Sequence, residues 1–272
     1  MSRIPLAGVI GCPVGHSRSP VLHGTWLREY GIAGHYVPLH VDPGDLAEVL
    51  RAMPSMGFVG ANVTIPHKEA ALALADEVSD MAARIGAANT LSFQDGRIFA
   101  DNTDGYGFMA NLRQNAPEWR PEQGPALILG AGGAARAIIV ALQEAGVPGI
   151  RITNRTRARA EGLAAEFGLQ VVDWDKRAHG LDDLGLLVNT TALGMAGQSA
   201  LDMPLAGLNA RALVTDIVYT PLETPLLRDA GAQGLQTVDG LGMLLHQAVP
   251  GFERWFGRKP EVTGALRRAV LG

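Results

Sequence analysis

A single cysteine, Cys12, stands in 272 residues, so an internal disulfide and a Cys-rich metal site are both excluded. No block of Lys or Arg interrupts a chain of formal net charge −4, and the electrostatic footprint of a nucleic-acid or anionic-membrane binder is missing. No apolar stretch approaches the roughly 18 residues that a membrane span requires. The opening Met1-Ser2-Arg3-Ile4-Pro5-Leu6 enters a strand-like run without an apolar region long enough for a signal peptide, so the expected location is the cytoplasm. Repeats and low-complexity tracts are absent as well. What remains is a chain with 47% hydrophobic residues and a mean hydropathy of +0.11, long enough for two domains with separate cores and suited to a small-molecule partner. Its 34 glycines exceed the usual share of about 7% and suit an α/β protein whose backbone approaches ligands at several turns.

The most informative stretch is Ala126-Leu127-Ile128-Leu129-Gly130-Ala131-Gly132-Gly133-Ala134-Ala135-Arg136-Ala137. A short apolar run ends in glycines and passes into an Ala-rich segment in which Ile138, Ile139 and Leu142 mark a buried helical stripe. A strand that turns so tightly into a helix presents free N–H groups to a pyrophosphate. Glycines alone would also suit a close-packed corner, but the next strand, from Ile150 to Thr153, completes a βαβ unit. Where an NAD-binding fold usually places Asp or Glu for the ribose hydroxyls, the chain has Asn154, Arg155 and Thr156. A guanidinium at that point favours a 2′-phosphate, so NADP is the expected cofactor.

Ahead of this unit the periodicity alternates. Leu6 to Gly11, Tyr36 to Val41 and Ala61 to Ile65 read as strands; Leu22, Trp26 and Tyr30 mark a helix, with further helices at Asp45 to Met53 and His67 to Ala75. Thr90 to Phe93 and Arg97 to Ala100 read as a hairpin across Gln94-Asp95-Gly96. After the cofactor turn, strands are expected at Gln170 to Val172, Leu186 to Asn189 and Leu213 to Val218, and the last thirty residues are helical, with Met243, Leu244, Ala248 and Phe252 on one side. The alternation predicts a two-domain α/β protein, with a turn-rich boundary region from Asn115 to Pro125 ahead of the nucleotide turn and C-terminal helices placed to pack back on the first domain.

Four polar clusters in the first domain carry candidate chemistry. In the loop from Gly11 to Pro20, Ser17 and Ser19 lie just ahead of a helix, where two hydroxyls and free N–H groups would hold a carboxylate; Ser19 before Pro20 also fits a helix cap. In Gly60 to Lys68, strand alternation places Asn62 and Thr64 on one face and sends Val63 and Ile65 into the core. Lys68 follows at a helix N-terminus, where a cation opposes the macrodipole, so function explains it better than structure does. His67 beside it reads as a structural histidine. Asn89 and the run Asp101-Asn102-Thr103-Asp104 sit at the two ends of the hairpin, with Asp101 and Asn102 also fitting a plain turn. Asp104 supplies an anion for Lys68, and a Lys–Asp pair is what reduction of a carbonyl by hydride needs, because the developing alkoxide must be protonated.

Taken together, these motifs resemble the shikimate dehydrogenases. HSRSP at 16–20, NVTIPHK at 62–68, GAANT at 86–90, NTD at 102–104, GAGGAARA at 130–137, NRT at 154–156, NTTALGM at 189–195 and DIVYTPLETPLL at 216–227 extend the resemblance over nearly the whole chain. It implies an NADP-dependent oxidoreductase that interconverts 3-dehydroshikimate and shikimate in aromatic amino-acid biosynthesis, built from an α/β substrate domain of residues 1–104 completed by the C-terminal helices of 241–272 and a Rossmann-like NADP-binding domain of residues 105–240, with the active site in the cleft between them. By the same resemblance Lys68 and Asp104 are the catalytic pair, and Ser17, Ser19, Thr64, Asn89, Tyr219 and Gln247 surround shikimate. The serines receive the carboxylate; Asn89, Asp104 and Gln247 read the ring hydroxyls. Gly130, Ala131, Gly132, Gly133 and Ala134, with Asn154, Arg155, Thr156 and Arg159, carry NADP; Ile217 and Gly240 lie near the nicotinamide and Asp80 is a cofactor-side contact. No metal is expected, and a homodimer is allowed but not required.

Cys12 departs from the Asn or Asp usual in the family, Gly24 from Asn, and Thr191-Ala192 from Thr-Pro, none at a position assigned to the chemistry. Two other readings compete. A quinate/shikimate dehydrogenase served by NAD would prefer an acidic residue in place of Asn154-Arg155-Thr156. A non-catalytic NADP-binding regulator would have no use for Lys68 with Asp104 and the paired serines.

Overall fold

A computed structural model describes residues 4–272, which divide into two compact units. The first takes the described residues up to Asp104 together with Leu245–Gly272; the second is Gly105–Leu244.

In the first unit the strands are β1 (Leu6–Gly11), β2 (His35–His40), β3 (Phe58–Val63), β4 (Glu77–Val78), β5 (Thr90–Gln94) and β6 (Arg97–Asp101). Helices α1 (Ser19–Glu29), α2 (Leu46–Ala52), α3 (Lys68–Ala73) and α4 (Asp80–Ile85) intervene, and α5 (Asp104–Asn115) begins at the unit's edge. The sheet order is β2-β1-β3-β5-β6-β4; β1 runs parallel to both neighbours, whereas β5 is antiparallel to β3 and β6. The hairpin turn is Asp95-Gly96, with φ of 51° and 75°, the left-handed pair that a two-residue loop between twisted strands demands. Ile10, Val63, Leu91 and Phe93 fill one side of the sheet's core.

The second unit contains β7 (Ala126–Leu129), α6 (Gly133–Glu144), β8 (Ile150–Thr153), α7 (Arg157–Phe167), β9 (Gln170–Val171), β10 (Leu186–Asn189), β11 (Leu213–Asp216), α8 (Pro225–Ala232) and β12 (Gln236–Val238). All of its strands are parallel, in the order β9-β8-β7-β10-β11-β12. The chain winds outward from β7, returns to β10 on its other side and winds outward again. This is the Rossmann order, with its switch point at the carboxyl ends of β7 and β10. Every residue of β7, β10 and β11 is buried, as strands of a doubly covered parallel sheet should be, with polar residues only at the ends of β10 and β11.

Helices α9 (Leu241–Phe256) and α10 (Gly264–Leu271) end the chain. Within the first unit, Trp255 donates its indole N–H to the Leu91 carbonyl at 3.0 Å, Arg254 pairs with Asp101 at 2.5 Å, and Trp26 reaches the Glu261 carbonyl at 2.9 Å. Gly60 makes the Trp255 contact sterically feasible, since a Cβ there would stand 1.9 Å from the indole nitrogen.

Three local expectations fail for identifiable reasons. Ile65 is 74% exposed instead of buried, because β3 stops at Val63 and its side-chain alternation does not carry on into the segment before Pro66. Ser19 is the first helical residue of α1 and caps nothing; Arg18 occupies the cap position and Ser19 is buried beside Tyr36. Strand β11 ends at Asp216, two residues early, where the carboxylate turns back to accept the Val218 N–H.

His23 is wholly buried, stacked flat on Tyr36 with centroids 3.9 Å apart, and its pKa is pushed down to about 3 by burial, with a smaller opposing contribution from Asn62. The unfolded chain binds this proton near its ordinary value and the native one does not. Native stability is therefore lost as pH falls from about 6.5 toward about 3, by up to about 1.4 kcal/mol per pH unit. Urea denaturation at several pH values should show this slope in the wild type and a shallower one in His23→Phe. Equal slopes in the two proteins would mean that His23 is not the group responsible.

Candidate active site

Lys68 opens α3 and Asp104 opens α5, and the ammonium lies 2.5 Å from one carboxylate oxygen. A carboxylate at a helix start is favoured by the macrodipole; a lysine there is not, and Asp104 compensates it. Only 24% of the lysine side chain and 12% of the aspartate side chain face solvent, so the pair is partly shielded from water.

The other oxygen of Asp104 accepts from the Asn89 amide at 2.7 Å. Asn89 is held at both ends. Its oxygen accepts the Thr103 backbone N–H at 2.8 Å and the Thr90 hydroxyl at 2.9 Å, while its NH2 also faces Gln247 Oε1 at 3.4 Å. Thr103 donates its hydroxyl to the Gln247 carbonyl, so α9 brings Gln247 to residues more than 140 positions away. The network continues inward. Asn62 donates to the Asn89 carbonyl and the Thr90 hydroxyl, each at 3.2 Å, and accepts from the Tyr36 hydroxyl at 2.7 Å; Tyr36 in turn hydrogen-bonds Ser19. A buried polar chain thus runs from Ser19 through Tyr36, Asn62 and Asn89 to Asp104 and Lys68. Unpaired, such groups would each cost about 1–3 kcal/mol to bury.

Lys68, Asp104, Asn89 and Gln247 therefore come together. Ser17 accepts the Ser19 backbone N–H at 3.3 Å, a local turn bond that leaves its own O–H proton available. Thr64 is half-buried just beyond β3, and its hydroxyl makes no hydrogen bond among the described residues. His67 is structural: its Nε2 lies 2.8 Å from the Val41 carbonyl. Asp80 is exposed in the first turn of α4 behind the Ser79 cap, a position that accounts for a carboxylate without any ligand. Asp101 pairs with Arg254 and Ser79, and Asn102 accepts the Asp104 N–H, so both support the turn into α5. Tyr36 and Asn62 had no assigned role in the sequence. Asn62 stood out only as the neighbour of Thr64 on one strand face, and Tyr36 carried no signal beyond its strand.

In the second unit, Gly130 adopts φ +106°, and a Cβ there would press to 2.7 Å from the Thr190 hydroxyl. Gly132 and Gly133, by contrast, face open space where a Cβ would meet nothing within 4 Å. Gly132 is the cap position of α6, whose first N–H groups have no side-chain partner. An open cradle at an uncapped helix N-terminus fits a pyrophosphate. The pocket it opens into is also lined by Asn154, Arg155 and Arg159. Among the described arginines nearby, Arg136 pairs with Glu166, Arg151 with Asp183, and Arg157 with Glu161 and Asp173. Arg155 and Arg159 have no carboxylate partner among the described residues. Asn154 spends its NH2 on the Thr156 carbonyl, at 2.9 Å, while the Thr156 hydroxyl caps nothing.

Ile217 and Gly240 touch through the backbone: a Cβ on Gly240 would stand 2.3 Å from the Ile217 carbonyl. Tyr219 follows in the same segment, half-buried. That segment is organised by Asp216, which accepts from Asn189 at 3.0 Å and Thr224 at 2.8 Å and whose pKa is raised by burial against these bonds. Sequence reasoning assigned no task to Asn189 and Asp216, which sit side by side at the ends of β10 and β11.

A Rossmann-ordered unit with unpaired arginines at its helix cradle, on one chain with a shielded lysine–carboxylate pair, has the equipment of a dinucleotide-dependent oxidoreductase. Residues 9–91 match the shikimate dehydrogenase substrate binding domain, residues 114–195 the shikimate/quinate 5-dehydrogenases, and residues 240–271 the shikimate 5′-dehydrogenase C-terminal domain. The chain is 66% identical over 270 residues to a shikimate dehydrogenase (NADP(+)) of Paracoccus denitrificans (strain Pd 1222), covering 98% of this chain and 96% of that one. The crystal structure of shikimate 5-dehydrogenase from Thermus thermophilus in complex with NADP(H) and shikimate is similar at a TM-score of 0.87 and 40% identity, covering 99% of each chain. Quinate dehydrogenase from Corynebacterium glutamicum in complex with NAD follows the same fold at a TM-score of 0.89 and 32% identity, covering 98% of this chain and 99% of that one. The chain belongs to the shikimate dehydrogenase family.

The two glycine environments separate fold from ligand. Gly130→Ala should cost about 1–3 kcal/mol of stability, through strained backbone and the Thr190 contact. Gly132→Ala should stay within about 1 kcal/mol of the wild type yet weaken dinucleotide binding. Thermal melts with and without nucleotide distinguish the two, and a Gly132 variant that binds normally would remove the cradle from the site.

Proposed function

We propose that this enzyme reversibly reduces 3-dehydroshikimate to shikimate with NADPH, and that Lys68 and Asp104 carry the proton chemistry. The observation that supports it best is the 2.5 Å Lys68–Asp104 contact, fixed from behind by Asn89. When bound, NADPH supplies the hydride to the carbonyl carbon. Lys68 directs an N–H at the carbonyl oxygen, polarises it and gives up its proton as the negative charge develops there. Asp104 keeps the lysine aimed before transfer. In the reverse direction the neutral amine takes the proton from the hydroxyl.

Ser17 and Ser19 receive the substrate carboxylate, Ser17 through the O–H that its turn bond leaves available. Asn89, Asp104 and Gln247 read the ring hydroxyls, and Thr64 and Tyr219 complete the substrate contacts. For the cofactor, Gly130, Ala131, Gly132, Gly133 and Ala134 cradle the pyrophosphate. Arg155, with Asn154, Thr156 and Arg159, holds the 2′-phosphate; the unpaired guanidinia favour NADP over the NAD-linked quinate alternative. Ile217 and Gly240 lie against the nicotinamide, and Asp80 is a peripheral cofactor contact. In this reading residues 1–104 with 241–272 are the substrate domain and residues 105–240 the cofactor domain. The enzyme works in the cytoplasm on small molecules, alone or as a homodimer.

Shikimate-dependent reduction of NADP, with NAD and quinate assayed in parallel, tests the assignment directly. Lys68→Ala should lower kcat by about 10²- to 10⁴-fold, the scale of a lost general acid, with a smaller change in KM. Asp104→Ala should also be impaired, and the double variant less impaired than the product of the singles, since the two act together. A Lys68→Ala enzyme with normal kcat would assign the proton to another group.

Arg155→Ala should raise KM for NADP by roughly 10- to 100-fold, the worth of charge-assisted hydrogen bonds, and leave KM for NAD nearly unchanged. Equal wild-type efficiency with both cofactors would move the assignment to the quinate alternative.

A further inference from the structure

The carboxyl ends of β1 and β2 carry a second cluster that the proposed reaction does not use. Gly11 and His40 are register partners in this parallel pair, so Cys12 and Asp42 emerge just beyond neighbouring strand ends. His40 and Asp42, two positions apart, share a face where the strand's extended path continues. The three side chains converge: Cys12 Sγ lies 3.6 Å from His40 Nε2 and 3.6 Å from Asp42 Oδ1, and the last two atoms are 3.6 Å from each other.

An equilateral triangle of this size has a specific meaning. A regular tetrahedron with 3.6 Å edges has its centre about 2.2 Å from each corner, against bond lengths of about 2.3 Å for Zn–S, 2.0–2.1 Å for Zn–N and 2.0–2.2 Å for Zn–O. Three ligand atoms therefore already occupy one face of a zinc coordination sphere. We propose that Cys12, His40 and Asp42 form a binding site for a thiophilic divalent cation such as Zn²⁺, with water as the fourth ligand. The thiolate and imidazole select zinc or cobalt over magnesium and calcium, which prefer all-oxygen shells.

The backbone holds the triangle in place before any ion arrives. Cys12 donates its N–H to the Ile65 carbonyl at 3.2 Å and Val41 donates to the Gly11 carbonyl at 3.3 Å. The side chains of His40 and Asp42 are 57% and 71% exposed, so an ion has a direct path from solvent and the fourth position stays open. In the ion-free protein the thiol keeps its proton: partial burial, then the hydrogen bond and charge of Asp42, raise its pKa. Binding exchanges that S–H bond for an S–metal bond and releases one proton to solvent; His40 binds as the neutral ring. No sequence motif marks the site, since Cys12 lies 28 and 30 positions from its partners, outside any ligand spacing. Ligation would fix the start of the segment that leads to Ser17 and Ser19.

The test is titration of the full-length reduced protein with Co²⁺ in the absence of oxygen, followed by competition with Zn²⁺. The expected result is a thiolate-to-cobalt charge-transfer band that saturates at one ion per chain, is abolished by Zn²⁺ and is untouched by excess Mg²⁺. Cys12→Ser should lose the band, while His40→Ala and Asp42→Asn should each weaken binding by about tenfold or more, the lower end of the effect expected for a lost metal-supporting group. These surface positions leave the fold intact, which the far-ultraviolet circular dichroism of each variant verifies. A wild type with no charge-transfer band overturns the proposal. So does a band of unchanged affinity in both His40→Ala and Asp42→Asn, because the thiol would then bind cobalt without its partners.

Discussion

Asn89 is the residue on which the polar network of the first unit rests. Its amide oxygen gathers the Thr90 hydroxyl and the Thr103 N–H, and its nitrogen side restrains Asp104 and faces Gln247. An amide offers two acceptor sites and two donors, and here both ends are engaged. Removing it would strand several buried groups at once. The consequence is positional accuracy: the Asp104 carboxylate is held by a neutral donor on one oxygen and is offered to Lys68 on the other. A flexible ammonium is thereby given one direction in which to point.

Under the proposed function the second unit solves a different problem, keeping donors available for an anion bound reversibly. Here the means is omission. The first N–H groups of α6 have no cap, Gly132 and Gly133 present no side chain, and Arg155 and Arg159 have no acid, while each neighbouring arginine has one. Gly130 serves the opposite end, where the backbone passes too close to Thr190 for any other residue. Adjacent glycines in one motif thus answer to unrelated constraints.

What could be read from the sequence was whatever is periodic or local. β1 and β10 fall at the expected residues, and the apolar stripe of α6 is buried as its spacing requires. The turn Asp95-Gly96 was legible because its conformation depends on two residues alone. Lys68 attracted notice because its place on the helix is electrostatically wrong without a partner. The Ser19–Tyr36–Asn62–Asn89 chain was illegible, since it joins separate strands through side chains whose pairing no spacing encodes. Ile65 was misread because alternation carries no information on where a strand stops. The two-residue β4 is shorter than any pattern, and the Asn189–Asp216 pair required the strand register to be known.

The seating of Trp255 on the bare backbone of Gly60, with Arg254 beside it on Asp101, ties the first unit to residues made almost two hundred positions after its central strand. Protein synthesis proceeds from the amino end. As the chain leaves the ribosome, β1 to β6 emerge long before the aromatic lid of their own sheet, whereas Gly105–Leu244 is complete in itself as soon as it has emerged. The portion holding Lys68 and Asp104 therefore closes its sheet only after Gly105–Leu244 has emerged, and a chain cut short before α9 would carry β7 to β12 complete with an unfinished first unit.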